Sequence, residues 1–401
     1  MLSLMYSAMR DGHSPSGEIT IGIVAGEASG DALAATLISA LRARMPKVRF
    51  VGVAGPRMEA AGCSVWYPLE MLSIRGLIEV LPRLRQLLAL RRALARRLLS
   101  ARIPLFIGVD APDFNLGLEK KLKGAGVRSM HFVSPSVWAW RRGRVHKIGR
   151  SVHRMLTLFP FEPAIYEAAG VPVSFVGHPL AKQAAVLSSR REARDQLKLT
   201  MALPVFALLP GSRASELDMH GDLILHTAAA LHAVRPDARF LVPLTTRPTR
   251  DRFESAIYRL GYDKLPLTVL YGHATDALRA ADVALVASGT ATLEAALARC
   301  PHVIFYRVNA LTARIVRRKL LVPWVGLPNV LAGKFVVPEF LQDDATVENL
   351  TQAVGNLYDD TVTRRRLEAL FAGFAASLKV DTGELAADAV AAELRAAGVV
   401  C

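Results

Sequence analysis

Short apolar runs of strand length alternate along this chain with longer segments whose apolar residues recur at helical spacing. Ile19–Ala25 reads as a first strand, Gly26 to Asp31 as a tight loop, and Ala32–Arg44 as a helix. Further strands are predicted at Arg49–Val53, Pro104–Val109, Val127–Val133, Met155–Phe159 and Ser174–Val176. From Gly177 to about Pro204 the pattern reads as a linker plus one helix. A second series follows, with strands at Val205–Leu209, Arg239–Val242, Leu267–Leu270, Val283–Val286 and His302–Phe305. This alternation predicts an α/β fold with parallel sheets. Two successive doubly wound series predict two Rossmann-like domains facing a cleft, with ligands at the carboxyl ends of strands. The predicted organisation is an N-terminal extension over 1–17, a first domain over 18–185 and a second over 186–365. A helical segment over 366–401 is expected to cross back to the first domain or to a dimer partner.

One stretch breaks the alternation. From Trp66 to Leu81 apolar residues crowd together, with Ile74–Leu81 forming a patch interrupted by Arg75. Leu87, Leu90, Leu94 and Leu98 then make a helical stripe, with Arg85, Arg92 and Arg96 roughly opposite. An apolar patch beside a basic helix suits an anionic membrane surface or an acyl chain. The plain alternative is that the stripe is core and the arginines are solvated.

Composition narrows the class. With 401 residues, 52% of them hydrophobic, the chain can bury two domain cores and is not globally disordered. Cys63, Cys300 and Cys401 have no metal-binding spacing, which suits a reducing compartment. No apolar run reaches the roughly 18–20 residues of a membrane span. The patch from Met1 to Met9 lacks a basic region before it and does not read as a signal peptide. The formal charge of +15 favours anionic partners without choosing among nucleic acid, lipid and phosphorylated substrates.

Several segments carry candidate chemistry. Leu208-Leu209-Pro210-Gly211-Ser212-Arg213 ends a strand and opens a helix. Free N–H groups and the helix dipole favour a phosphate there, and Arg213 adds a bidentate fork. Ser288-Gly289-Thr290 repeats the arrangement after the Val283–Val286 strand, and Glu294 falls one turn in, where it could accept ribose hydroxyls. In each case the plain alternative is a well-capped helix start. The first loop, with Ser29 and Gly30, could approach a phosphate or an acceptor but lacks a P-loop lysine. Asp110, at a strand end, is the better general-base candidate, and Asp113 reads as a helix cap. Trp138 and Trp140 beside Arg141, Arg142 and Arg144 could stack on a sugar or base, or anchor at a membrane. His146 and His153 are spaced wrongly for a metal pair, and no metal site is expected.

Together these segments resemble the lipid-A-disaccharide synthase family from about Glu18 onward. The resemblance is carried by Val24–Asp31, Val51–Met58, Asp110–Asn115, Ser134–Trp140, Leu208–Arg213, Ala287–Thr290 and Leu327–Gly333. It implies a GT-B fold and an inverting, metal-free transfer. The implied donor is UDP-2,3-diacylglucosamine, a substrate rather than a cofactor, and the implied acceptor is 2,3-diacylglucosamine 1-phosphate. The implied products are a β-1,6-linked disaccharide 1-phosphate and UDP. It further implies a cytoplasmic protein peripheral on the inner face of the inner membrane, and a homodimer formed by C-terminal exchange. By position, Asp110 matches the aspartate proposed as base and Arg213 the arginine that meets the UDP phosphates. Gly211 and Ser212 flank that arginine, Ser288, Gly289 and Thr290 match the phosphate loop, and Glu294 and Asn329 match nucleotide positions. Two rivals remain at this point. One is another enzyme on the same fold, an epimerase or a peptidoglycan-type transferase acting on unacylated UDP-N-acetylglucosamine. The other is a non-enzymatic basic module that binds RNA or membrane; the resemblance argues against a nucleic-acid partner.

Overall fold

The computed structural model describes residues 18–72, 77–139, 143–184, 186, 188–309, 313 and 322–399, with the side chains of 77–83 outside the description. The chain forms two units. Within the described residues, the first comprises 18–138, 143–179 and 380–399, and the second 139 and 180–379. The return to the first unit therefore begins at Val380, later than the expected 366.

The first unit is built on a seven-stranded parallel sheet. Its strands are β1 (Thr20–Ala25), β2 (Arg49–Ala54), β3 (Cys63–Pro68), β4 (Leu105–Val109), β5 (Arg128–Phe132), β6 (Arg154–Thr157) and β7 (Val173–Phe175). They lie in the order β3-β2-β1-β4-β5-β6-β7. The second unit has six parallel strands in the order β10-β9-β8-β11-β12-β13. These are β8 (Val205–Leu209), β9 (Arg239–Leu244), β10 (Leu267–Tyr271), β11 (Val283–Ala287), β12 (His302–Tyr306) and β13 (Glu339–Leu341). In both sheets the order reverses beside the first strand of the series, which opens a ligand position at the carboxyl ends of β1/β4 and β8/β11. Central strands such as β4, β8 and β11 are buried throughout, so they read as continuous apolar runs. The pattern missed β3 and β13. Both are edge strands with mixed exposure, and β13 has three residues.

Helix α1 (Ala28–Arg44) begins four residues before the predicted start, because the Asp31 N–H closes a first turn on the Glu27 carbonyl at 2.8 Å. The expected loop is thus mostly helix. Asp31 does not cap its own helix. Its buried carboxylate accepts from the N–H groups of Gly55, Arg57 and Met58 at 2.9, 3.0 and 3.1 Å, capping α2 (Pro56–Ala60).

Helix α3 (Leu77–Ser100) settles the reading of its stripe. Leu90, Leu94 and Leu98 are buried against Phe106, Leu118 and Leu122, each side chain stabilising the fold by roughly 1.5–3 kcal/mol. Arg85, Arg92 and Arg96 are exposed. The stripe is core, and only the arginine face is open to an anionic partner. The side chains of the Ile74–Leu81 patch lie outside the described residues. Among the described residues no helix is long and apolar enough to cross a membrane.

The remaining helices are α4 (Pro112–Gly124), α5 (Arg144–Ser151), α6 (Pro163–Glu167), α7 (Pro179–Ala184), α8 (Arg190–Gln196), α9 (Ala214–Val234), α10 (Arg247–Arg259), α11 (Ala274–Ala280), α12 (Thr290–Leu297), α13 (Leu327–Ala332), α14 (Val347–Asp359), α15 (Thr361–Leu378) and α16 (Thr382–Ala396). The single helix predicted between the two series is in fact α7 and α8. At the C-terminus α16 joins the first unit through charge. Arg44 binds Glu384 and Asp388, while Arg128 and Arg154 both donate to the buried Glu393, each through Nε at 2.9 Å.

Candidate active site

In the first unit the candidate chemistry collects where β4 and β5 end. Asp110 follows β4 directly and is half-buried. Its backbone has φ 56°, and Ala111 after it has φ 41°. Two successive non-glycine residues in the left-handed region store strain that the surroundings must hold. The holding bonds are on hand: Asp110 N–H donates to the Phe132 carbonyl at 2.9 Å, and Asn115 Nδ2 donates to the Asp110 carbonyl at 2.8 Å. Burial raises the Asp110 carboxyl above the usual range, opposed by the Ala111 N–H and the charge of His131. A carboxylate raised in this way is a better proton acceptor than an exposed one.

The low-specificity pair from the first loop sits beside it. Gly30 is buried, and a Cβ there would lie 3.5 Å from Asp110 Cβ, in ordinary contact. Ser29 is exposed in the same turn. Asp113 does not cap α4. Its exposed carboxylate pairs with Arg144 Nη2 at 2.5 Å.

Beyond β5, Val133 has φ 82°, a third strained position at this edge of the sheet. Ser134 is buried and its hydroxyl meets the Tyr166 hydroxyl at 2.7 Å. Glu162, also buried, accepts from the N–H groups of Leu158 and Phe159 at 3.2 and 3.0 Å and from the side chains of Ser134 and Trp138. Burial pushes its carboxyl up to about 7 against those bonds. Trp138 is half-buried and meets Phe161 in a T-shaped contact at 5.8 Å. Trp140, Arg141 and Arg142 lie outside the described residues. Glu162 and Tyr166 were not singled out from the sequence, since nothing local marks a carboxylate that works through a residue 28 positions away.

In the second unit two helix starts lie side by side after adjacent strands, β8 and β11. At the first, Gly211 has φ 123°, and a Cβ there would meet Glu216 Oε2 at 2.6 Å, so glycine is required. The N–H groups expected to be free are in part taken. Glu216 Oε2 accepts from Ser212 N–H at 2.8 Å and Arg213 N–H at 3.2 Å. Glu216 Oε1 accepts from Arg213 Nη1 at 2.9 Å. The expectation of open donors at Gly211-Ser212-Arg213 is therefore corrected, because the helix's own third residue fills that place. What remains available is the Arg213 guanidinium, nearly half exposed, and the N–H groups of Ala214 and Ser215.

The second start is open. Gly289, with φ 149°, precedes α12. Ser288 N–H is engaged by the Phe305 carbonyl at 2.9 Å. The N–H groups of Gly289, Thr290 and Ala291 meet no acceptor among the described residues. Gly289 and Thr290 are exposed, and Ser288 is half-buried. One turn in, Glu294 is half-buried, no described residue bonds its carboxylate, and burial raises it. A carboxylate kept partly from water without a protein partner is suited to accept from a ligand's hydroxyls.

Asn329 does not take the role expected of it. It is wholly buried, and Nδ2 donates to the Val337 carbonyl at 2.8 Å and Glu339 Oε1 at 2.7 Å. Oδ1 accepts from Val336 N–H at 2.7 Å and Val337 N–H at 2.8 Å. All four bonds of the amide are used, so Asn329 fixes the segment leading to β13 and offers nothing to a nucleotide in this conformation.

Comparisons with known proteins agree on one family. The family model for lipid-A-disaccharide synthetase matches residues 21–390. A lipid-A-disaccharide synthase of Chromobacterium violaceum is 52% identical over 374 residues, covering 93% of this chain and 97% of that one. One from Pseudomonas aeruginosa is 48% identical over 372 residues, again 93% and 97%. Among solved structures, a putative UDP-N-acetylglucosamine 2-epimerase of Listeria monocytogenes superposes with a TM-score of 0.60 at 12% identity, covering 94% and 96% of the two chains. MurG of Acinetobacter baumannii gives 0.56 at 12% identity, with 93% and 99% covered. These distant likenesses show the GT-B fold alone. The family match sets aside both the non-enzymatic rival and the epimerase. The chain belongs to the lipid-A-disaccharide synthase family, glycosyltransferases that use a UDP-sugar to assemble the lipid A disaccharide.

Proposed function

We propose that the donor is UDP-2,3-diacylglucosamine, that the acceptor is 2,3-diacylglucosamine 1-phosphate, and that transfer inverts the anomeric centre. The acceptor 6-hydroxyl oxygen forms the new bond to the anomeric carbon as the bond to UDP breaks. The hydroxyl proton passes to Asp110, and the leaving diphosphate carries the departing electron pair. Negative charge grows on that diphosphate, where Arg213 and the open start of α12 can stabilise it. The sugar ring becomes oxocarbenium-like as the bond lengthens. Glu294 accepts from the ribose hydroxyls. These roles need no metal ion, and a chelator is expected to leave the rate unchanged.

The observation that carries this reading is the half-buried Glu294 beside three N–H groups, all without a partner among the described residues. Transfer between the two acylated substrates tests it, with UDP release as readout. Asp110→Ala is expected to lower turnover by roughly two orders of magnitude or more. Near-wild-type turnover would remove Asp110 as the base, and equal use of unacylated UDP-N-acetylglucosamine would overturn the substrate assignment. We further propose peripheral binding to an anionic membrane through the exposed Arg85, Arg92 and Arg96 face and the Ile74–Leu81 patch, and a homodimer. Vesicle flotation with anionic against zwitterionic lipid, and sedimentation, check these two.

A further inference from the structure

Helix α4 turns Asn115 and Glu119, one turn apart, toward the sheet, and both are fully buried. Asn115 holds the Asp110 carbonyl. Glu119 has no place in the chemistry so far. Its Oε1 lies 2.6 Å from Nδ1 of His131, which is equally buried. His131 pairs in register with Gly108, two residues before Asp110. A Cβ on Gly108 would overlap Glu119 Oε1 and come 2.9 Å from Asn115 Cβ. The missing side chain of Gly108 is the space in which the Glu119–His131 pair sits, directly behind the strained turn that carries Asp110. The outer atoms of the pair, Glu119 Oε2 and His131 Nε2, bond to no described residue.

A buried acid–base pair is a poor device for stability, since desolvation offsets most of its attraction. Its location suggests another use. Burial raises the Glu119 carboxyl, and the charge and hydrogen bond of His131 oppose that. The charge of His131 opposes the burial of both Asp110 and Glu119. From α1 the approach to Asp110 is Gly30, and Asp31 is committed to α2. From α4 the facing groups are Asn115 and Glu119, and from β5 His131. We propose that Glu119 and His131 are positioning residues for Asp110. Glu119 fixes the His131 ring through Nδ1, and the charge of His131 opposes the burial of the Asp110 carboxylate. This rests on the reading of Asp110 as the base.

The test is the pH profile of transfer by the full chain, with Glu119→Gln, His131→Asn and Glu119→Asp. Glu119→Gln is nearly isosteric, so the profile can be read even if His131→Asn fails to fold. Without the carboxylate that fixes its ring, His131 no longer sets its charge against the burial of the Asp110 carboxyl. The acid limb of kcat is then expected to move up by about half to one pH unit, with kcat about three- to tenfold lower well below the limb and near wild type well above it. KM and UDP affinity are expected to stay unchanged, and Glu119→Asp to restore the limb in part. An acid limb that stays at its wild-type position in Glu119→Gln, or activity lost equally at every pH, overturns the proposal. Asp110→Asn separates the two levels. If it transfers at the wild-type rate, the base reading fails as well. If it is inactive while the limb of Glu119→Gln does not move, the positioning role alone fails.

Discussion

Two helix starts in the second unit look alike in sequence and differ in what they leave open. Both follow a buried parallel strand, and both turn on a glycine with positive φ. At α9 the helix's own Glu216 takes the Ser212 and Arg213 N–H groups and one arm of the Arg213 guanidinium. At α12 no described residue stands in that place, and Gly289, Thr290 and Ala291 keep their donors. A carboxylate at the third helical position is the ordinary way to satisfy a helix start, and α12 has Thr292 there, whose hydroxyl donates to the Gly289 carbonyl at 2.8 Å. The difference divides the work. The α9 turn places an arginine, held by Glu216 and through it by the Tyr306 hydroxyl at 3.4 Å. The α12 turn offers the seat for an anion, with Glu294 beside it for hydroxyls.

Substitutions can break this division or sharpen it. The largest effect belongs to Arg213→Ala, expected to lower kcat by roughly 100-fold or more, because the leaving charge loses its cation. Arg213→Lys should recover little of it, since an ammonium lacks the fork. Steady-state transfer checks both. Glu294→Ala should weaken UDP binding by about tenfold through lost charge-assisted bonds, measured by calorimetry. An equal loss with a nucleotide lacking ribose hydroxyls would deny Glu294 its role. Glu216→Gln should act mainly on the fold. Loss of the helix-start carboxylate destabilises by about 1 kcal/mol, seen as a lower Tm, with UDP affinity changed by less than about threefold. Acidity gives a further check. The Asp110 carboxyl is raised by burial, so the reactive carboxylate is lost as pH falls through that raised value. Turnover should therefore fail at a higher pH than an exposed aspartate would allow.

How much of this was legible depended on range along the chain. Central strands announced themselves because burial on both faces leaves unbroken apolar runs, as in Val205–Leu209 and Val283–Ala287. Edge strands β3 and β13 carry no such mark. Strand-end residues Asp110 and Arg213 were legible because a strand followed by a helix fixes where its last residue lies. Glu216 could have been read as well, three residues after the N-cap position. Asn329 could not. Its neighbours Val337 and Glu339 are brought to it by the fold, and its motif says only that the position matters. The Glu119–His131 pair was hidden for the same reason, because it exists only through the register of β4 on β5 and a glycine between them.

Proline at the first helical position deletes one N–H while keeping the helix, and it suits the extended residue before it. Thr290→Pro and Ala214→Pro therefore remove one donor from each start with little else changed. Titration of UDP into both variants is the most direct test of the division. The account predicts affinity about five- to tenfold weaker for Thr290→Pro and within about twofold of wild type for Ala214→Pro. The reverse order, or equal losses, would place the anion at α9 and contradict it.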